Sequence, residues 1–187
     1  MTKLVLASAS PRRRELLGLL GHDFEVFATG IEELTEGDPA ELVVENAIRK
    51  AQAAVAGADD DHAIVIGVDT DVVLDGRLLG KPGDDAAARE RIAALSGRTH
   101  RVLSGICVIG AERRLTGLVQ TDVTFRDLDA SEIDRYVESG EWRDRAGGYA
   151  VQGFGSSLIA AIDGDLSNVI GLPLAKLAAM IEDLQNG

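Results

Sequence analysis

Apolar and polar positions along this chain fall into blocks that read alternately as strands and helices. Leu4-Val5-Leu6-Ala7 is a short apolar run and predicts a strand over about 3–8. It breaks into Ser8-Ala9-Ser10, after which Pro11 opens an amphipathic segment. That segment predicts a helix over 11–20, capped by Ser10 and ended by Gly21, with proline where a missing N–H costs nothing. A polar loop, Gly30 to Gly37, leads to Asp38-Pro39-Ala40-Glu41, a capping-box pattern that predicts a helix to about Ala56. Ala63 to Val68 is continuously apolar, as in a strand buried on both faces, and it emerges into Asp69-Thr70-Asp71. Val72-Val73-Leu74 and an Asp75-Gly76 turn follow. A helix is expected from Asp84 or Asp85 to Ser96-Gly97, and two β-rich runs over 99–109 and 114–125 form a hairpin turned near 110–113. Asp129-Ala130-Ser131-Glu132 is a second capping box, whose helix closes at Gly140. The glycine-rich stretch 147–155 precedes a strand over 157–162. The last helix lines up Leu174, Leu177, Ala178, Ile181 and Leu184.

Strands alternating with helices, followed by an antiparallel pair, predict one α/β unit with a mixed sheet. No repeat, low-complexity tract or linker divides the 187 residues. The net charge of −12 argues against a sequence-independent nucleic-acid binder, whose affinity comes from a basic face. A small anionic ligand is still compatible, because only local potential matters to it. No apolar run approaches the roughly 20 residues that span a bilayer, and the first residues show no signal-peptide pattern. With a single cysteine, Cys107, set in an apolar run, the expected setting is a reducing cytoplasm with no membrane partner.

Candidate chemistry clusters in a few places. Ser8, Ser10 and the Arg12-Arg13-Arg14 run gather hydroxyls, guanidinium forks and backbone N–H groups at one helix start, where an anion such as phosphate is best held. Extended backbone through Asp69-Thr70-Asp71 would put both carboxylates on one side, roughly 6–7 Å apart at the α-carbons. Such a pair suits a hard divalent cation or a general base; a solvated strand end is the competing account. Glu32-Glu33 reads equally as a solvated loop pair, and Lys50 as a surface lysine on a helix whose apolar face includes Leu42, Val43 and Ala47. Gly80-Lys81-Pro82 fixes a turn that aims one lysine. Gln152, among glycines and aromatics in Tyr149-Ala150-Val151-Gln152-Gly153-Phe154-Gly155, offers an amide that can read the edge of a planar base, or it belongs to a plain glycine-rich turn. Cys107 reads as a core residue, and His100, without metal-ligand spacing, as a core or surface residue. P-loop and dinucleotide patterns are absent.

Taken in order, these pieces resemble the Maf family of nucleoside triphosphate pyrophosphatases. The residues that carry the resemblance begin with Ser8-Ala9-Ser10-Pro11-Arg12-Arg13 with Leu16-Leu17, Glu33, Lys50-Ala51, Gly67-Val68-Asp69-Thr70 and Gly80-Lys81-Pro82. They continue through Leu95-Ser96-Gly97 with His100, Thr121 through Phe125, Ala146-Gly147-Gly148-Tyr149, Gln152-Gly153 and Asn168-Val169-Ile170-Gly171-Leu172-Pro173. The resemblance implies a Maf/ITPase-like α/β fold in one domain over 1–187, with a mixed, largely twisted sheet flanked by helices and a cleft between two lobes.

It further implies hydrolysis of a nucleoside triphosphate at the α-phosphate with Mg²⁺ or Mn²⁺, in a homodimer. Asp69 maps to the proton acceptor and Arg12, Thr70 and Gln152 to specificity positions. Ser8, Arg12, Arg13, Lys50 and Lys81 map to phosphate handling, and Glu33 with Asp69 to the metal. Gln152 in its Tyr-x-x-Gln-Gly setting resembles the branch acting on dTTP and UTP. The alternatives are 7-methyl-GTP or a modified nucleotide as substrate, or a non-enzymatic nucleotide-binding regulator of septum formation. The chain departs from the family pattern at Asp71, where an apolar residue is usual, and at Arg145, where a lysine is common.

Overall fold

The computed structural model describes residues 3–57 and 63–186; the remaining residues of the expected 1–187 domain lie outside the described ones. Strand β1 (Leu4–Ala7) is buried along its whole length. It lies parallel to β2 (Phe24–Val26) on one side and to β3 (Ile64–Leu74) on the other, with Leu4 opposite Phe24 and Ala7 opposite Gly67. Between them come helix α1 (Pro11–Gly18) and helix α2 (Pro39–Val55). Next in the chain are β4 (Arg77–Leu78), α3 (Asp85–Leu95), β5 (Thr99–Ile109), β6 (Arg114–Phe125) and α4 (Ala130–Ser139). Two short 3-10 turns lead to β7 (Ile159–Asp163), α5 (Leu166–Ile170) and α6 (Leu174–Asn186). The sheet order is β2-β1-β3-β5-β6-β7, with β4 antiparallel to β3 and β7 antiparallel to β6, so the sheet is mixed as expected. No helix among the described residues is long and apolar enough to cross a membrane.

Two compact units share these elements. One takes the chain up to Thr70, Ser104–Val119 and the chain from Gly171; the other takes Asp71–Leu103 and Gln120–Ile170. The first is built around α2. Val5 and Ala7 of β1, Ala47, Ala51 and Ala54 of α2, Val65 of β3 and Cys107 of β5 form one apolar cluster. Small side chains on α2 meet glycines on the sheet. A Cβ at Gly67 would strike the Ala47 carbonyl, and one at Gly105 would strike the Val43 carbonyl. The helix backbone therefore rests directly on β3 and β5. Cys107 is fully buried and burial pushes its thiol up to about 11, so it is a core residue.

The second unit packs α3 and α4 on the other portions of the strands, through Ile92, Leu95, Val123, Phe125, Tyr136, Trp142 and Tyr149. His100 stands edge-on to Phe125 and Tyr149, and its Nε2 lies 2.7 Å from the Tyr149 hydroxyl. Burial lowers its pKa from 6.5 to about 4.

Local signals in the sequence account for most boundaries. Asp38 and Asp84 accept first-turn N–H groups, and at Asp129 the capping box closes in both directions with Glu132. Asp75 and Gly76 both adopt positive φ, as the β3–β4 turn requires. Ser10 occupies the α1 cap position, yet its hydroxyl makes no capping bond; its N–H is held instead by Ser8 Oγ at 3.2 Å. β3 is one strand of 11 residues, β2 and α5 are additional elements, and α6 buries Met180 where a stripe through Ala178 was expected.

Two outcomes follow. Gly67→Ala forces α2 off the sheet and should cost about 1–3 kcal/mol, read by urea unfolding; unchanged stability would mean the contact is slack. The folded state resists protonating His100, so its stabilising contribution is full above pH 6.5 and is lost as the pH falls toward 4. The loss over that window is about 3 kcal/mol at most. Urea midpoints at pH 4.5 and 7.5 should fall less for His100→Gln than for the wild type, and equal falls would acquit His100.

Candidate active site

Asp69 lies in the middle of β3 and is 8% exposed. Both of its carboxylate oxygens are held by α2. Lys50 Nζ donates to Oδ1 at 2.7 Å and Asn46 Nδ2 donates to Oδ2 at 3.0 Å. The Lys50 ammonium also donates to Glu33 Oε1 at 2.5 Å, so one cation bridges two carboxylates. Asn46 fixes the Glu33 loop as well: its Nδ2 donates to the Leu34 carbonyl at 3.0 Å and its Oδ1 accepts the Leu34 N–H at 2.8 Å. The side chains of Lys50 and Asp69 are 9% and 11% exposed, whereas that of Glu33 is 48% exposed, so solvent reaches the cluster from the Glu33 side.

The next residue on β3, Thr70, belongs to a second network. Arg13 from α1 donates to Ser8 Oγ at 3.2 Å, the Val68 carbonyl at 2.9 Å, Thr70 Oγ1 at 3.1 Å and the Gly171 carbonyl at 2.8 Å. Thr70 Oγ1 also lies 2.8 Å from Ser104 Oγ. Burial lowers the Arg13 pKa, against the attraction of Asp69 and Glu33 and with the repulsion of Arg12 beside it. Ser8, Arg13, Glu33, Lys50, Asp69 and Thr70 thus lie in two joined networks within the first unit. Arg12 adjoins them in the first turn of α1.

Lys81 and Gln152 belong to the second unit. Lys81 is exposed, in the loop after β4. Gln152 is exposed on a loop pinned at both ends. The Tyr136 hydroxyl accepts the Ala150 N–H at 3.1 Å, and Glu141 accepts the Phe154 and Gly155 N–H groups at 2.9 and 3.0 Å. The strand stays extended through Asp69-Thr70-Asp71, but the two acids take different partners; Asp71 Oδ1 accepts the N–H groups of Val72 and Gly80.

Sequence reasoning missed Asn46, Ser104 and Glu141. A signal for Asn46 was present. Val43, Asn46, Ala47, Lys50, Ala51 and Ala54 recur at spacings of three and one, a single helical stripe, so Asn46 and Lys50 occupy core positions. A polar residue on such a stripe needs a buried partner.

Two carboxylates that meet one ammonium can also meet one metal cation, and their hard oxygens suit Mg²⁺ or Mn²⁺. Among the described residues no group of three or more His, Cys, Asp or Glu forms a cage for a metal.

In this α/β protein a strand-borne aspartate held by lysine and amide thus stands beside a serine–arginine network. The chain belongs to the Maf family, whose Maf-like protein profile matches residues 3–184. It is 48% identical over 185 residues to the dTTP/UTP pyrophosphatase of Moorella thermoacetica, covering 97% of this chain and 94% of that one. It is 46% identical over 180 residues to the dTTP/UTP pyrophosphatase of Deinococcus radiodurans, covering 96% and 91%. Among solved structures, the nucleoside-triphosphatase (dITP/XTP pyrophosphatase) of Mycobacterium abscessus aligns over 97% of this chain and 95% of its own, at 17% identity and a TM-score of 0.48.

Removing the ammonium tests the cluster. Lys50→Met leaves a buried carboxylate uncompensated and should cost about 3–5 kcal/mol in urea unfolding. Adding Asp69→Asn should recover part of that loss. A Lys50→Met protein as stable as the wild type would contradict the buried pairing.

Proposed function

We propose that this protein hydrolyses nucleoside triphosphates, dTTP and UTP in particular, to the nucleoside monophosphate and pyrophosphate. The single observation that carries the reading is Asp69, a buried carboxylate with both oxygens oriented by Lys50 and Asn46 at the edge of a solvent-reached cluster. The names of the Moorella and Deinococcus relatives supply the substrate class.

In this reading water attacks the α-phosphorus, its bond to the bridging oxygen breaks, and pyrophosphate leaves. Asp69 orients the water and accepts its proton. Each carboxylate oxygen has a second lone pair beyond the one facing Lys50 or Asn46, so it can accept from water without giving up its anchor. Lys50 has a third N–H to offer a phosphate oxygen. Four of the five Arg13 N–H donors are committed within the protein, so Arg13 contributes charge and at most one direct bond. Ser8, Arg12 and Lys81 complete the phosphate-binding set. Gln152 reads the pyrimidine edge, and Thr70 and Arg12 are the other specificity positions. Glu33 and Asp69 would hold a divalent cation, which supplies positive charge against the phosphate oxygens when bound. The reading places the protein in the cytoplasm as a homodimer acting as one Maf-like domain.

Pyrophosphate release over a panel of standard, modified and 7-methylated nucleotides, with and without chelator, tests this reading. dTTP and UTP should lead, chelator should abolish release, and Asp69→Asn should lower turnover by about 10²–10⁴ with binding kept. Gln152→Ala should narrow the preference for the right base by about 1–3 kcal/mol. A purine preference, or an Asp69→Asn enzyme of normal turnover, would refute the assignment.

A further inference from the structure

Asp71 is the acid of the Asp69-Thr70-Asp71 run that the proposed reaction leaves unused. It lies where the β3–β4 ladder would gain one more rung. Val73 pairs with Leu78, and the Leu79 N–H reaches the Val72 carbonyl at 2.8 Å. In that register residue 71 faces residue 80. The rung there is made by a side chain, for Asp71 Oδ1 accepts the Gly80 N–H at 3.1 Å. The same oxygen accepts the Val72 N–H at 2.7 Å, which fixes the carboxylate itself.

The other end of residue 80 is held with equal care. Its carbonyl accepts the Gly147 N–H at 2.8 Å and a guanidinium N–H of Arg91 on α3. A carboxylate thus sits at the positive end of the residue and a guanidinium at its negative end, each charge matched to the local backbone dipole. Gly80 has φ of +58°, a conformation that a side chain would strain. On the far side of Lys81, Pro82 is buried, and a Cβ at Gly148 would lie 3.1 Å from its ring. Lys81 is therefore exposed between two immobilised neighbours. The Gly147 and Pro82 contacts also tie its loop to the segment leading to Gln152.

We propose that Asp71 and Arg91 are positioning residues for Lys81, clamping the backbone of residue 80 so that the lysine is presented to the triphosphate. This rests on the reading of Lys81 as a phosphate-binding residue.

A double-mutant cycle on the full chain, read as pyrophosphate release from dTTP, decides the matter. Asp71→Val should lower kcat/KM by about tenfold, the worth of a charged hydrogen bond to a fixed loop, mainly through KM. Asp71→Asn keeps an acceptor oxygen and should restore most of the activity. Combined with Lys81→Ala, Asp71→Val should add less than about twofold, because the lysine it positions is already gone. Arg91→Met reaches the same residue from α3 and should behave alike, which protects the test if Asp71→Val folds poorly. Full additivity with Lys81→Ala, or wild-type kinetics for both Asp71→Val and Arg91→Met, overturns the inference while the phosphate role of Lys81 stands. A Lys81→Ala enzyme as active as the wild type overturns both.

Discussion

Everything in the first unit depends on how closely α2 can approach the sheet. At Gly67 and Gly105 the strands carry no side chain, and the helix backbone at Ala47 and Val43 occupies that space. An ordinary helix–sheet spacing would leave the short Asn46 amide unable to reach β3. Because the backbone is in contact, both Asn46 and Lys50 reach Asp69 while the alanines between them close the apolar seam. The arrangement is costly in itself. A buried ammonium and carboxylate give up hydration that their mutual attraction only partly offsets, so the pair adds little to stability although breaking it is expensive. What it provides is a carboxylate of fixed orientation, as the proposed role of Asp69 as a base requires.

Much of this was legible in the sequence where local chemistry determines local shape. Aspartates before helices, proline at a first helical position, Asp75-Gly76 and the hairpin near Gly110 each act within a few residues. Their elements formed where the sequence indicated. The burial of Cys107 also followed from its apolar neighbours, whereas His100, between Thr99 and Arg101, is buried by ring contacts from Phe125 and Tyr149 that no local signal announces. β2 escaped notice because three half-exposed residues carry no periodic signal, and its pairing with β1 is what makes it a strand. β3 read as two apolar pieces because Asp69-Thr70-Asp71 interrupts its hydrophobicity. The interruption is chemical and leaves the backbone extended.

The site was less legible than the fold. Residue types and order pointed to Ser8, Arg12, Arg13, Glu33, Lys50, Asp69, Thr70, Lys81 and Gln152. Hydrogen bonds in the first unit connect Ser8 with Arg13 and Thr70, and Glu33 with Lys50 and Asp69, while Lys81 and Gln152 belong to the second unit. The residues that hold them were nearly silent. Asn46 works through the Leu34 backbone, Ser104 through a threonine hydroxyl, and Glu141 through two amides of the Gln152 loop. Each is a long-range contact between unremarkable residue types, and only the tertiary structure selects them from the many alike.

Charge explains why the cations are deployed as they are. The chain is acidic overall, at −12, yet its proposed substrate is a polyanion. Around Asp69, two carboxylates face one ammonium, so the Lys50 cluster is itself net negative. A triphosphate carrying about four negative charges would meet repulsion there unless further positive charge came with it. Arg13 is close enough for Asp69 and Glu33 to oppose the burial that lowers its pKa, but most of its donors already hold the fold together. On the proposed reading, the balance falls to groups outside the buried pair, namely Arg12, Lys81 and a divalent cation. Glu33, the acid of this cluster that solvent reaches, is the natural point of entry. The same accounting separates an enzyme from a simple nucleotide binder. A protein that only held the triphosphate would gain by discarding both acids, and this one invests a buried lysine and an asparagine in keeping Asp69 in place.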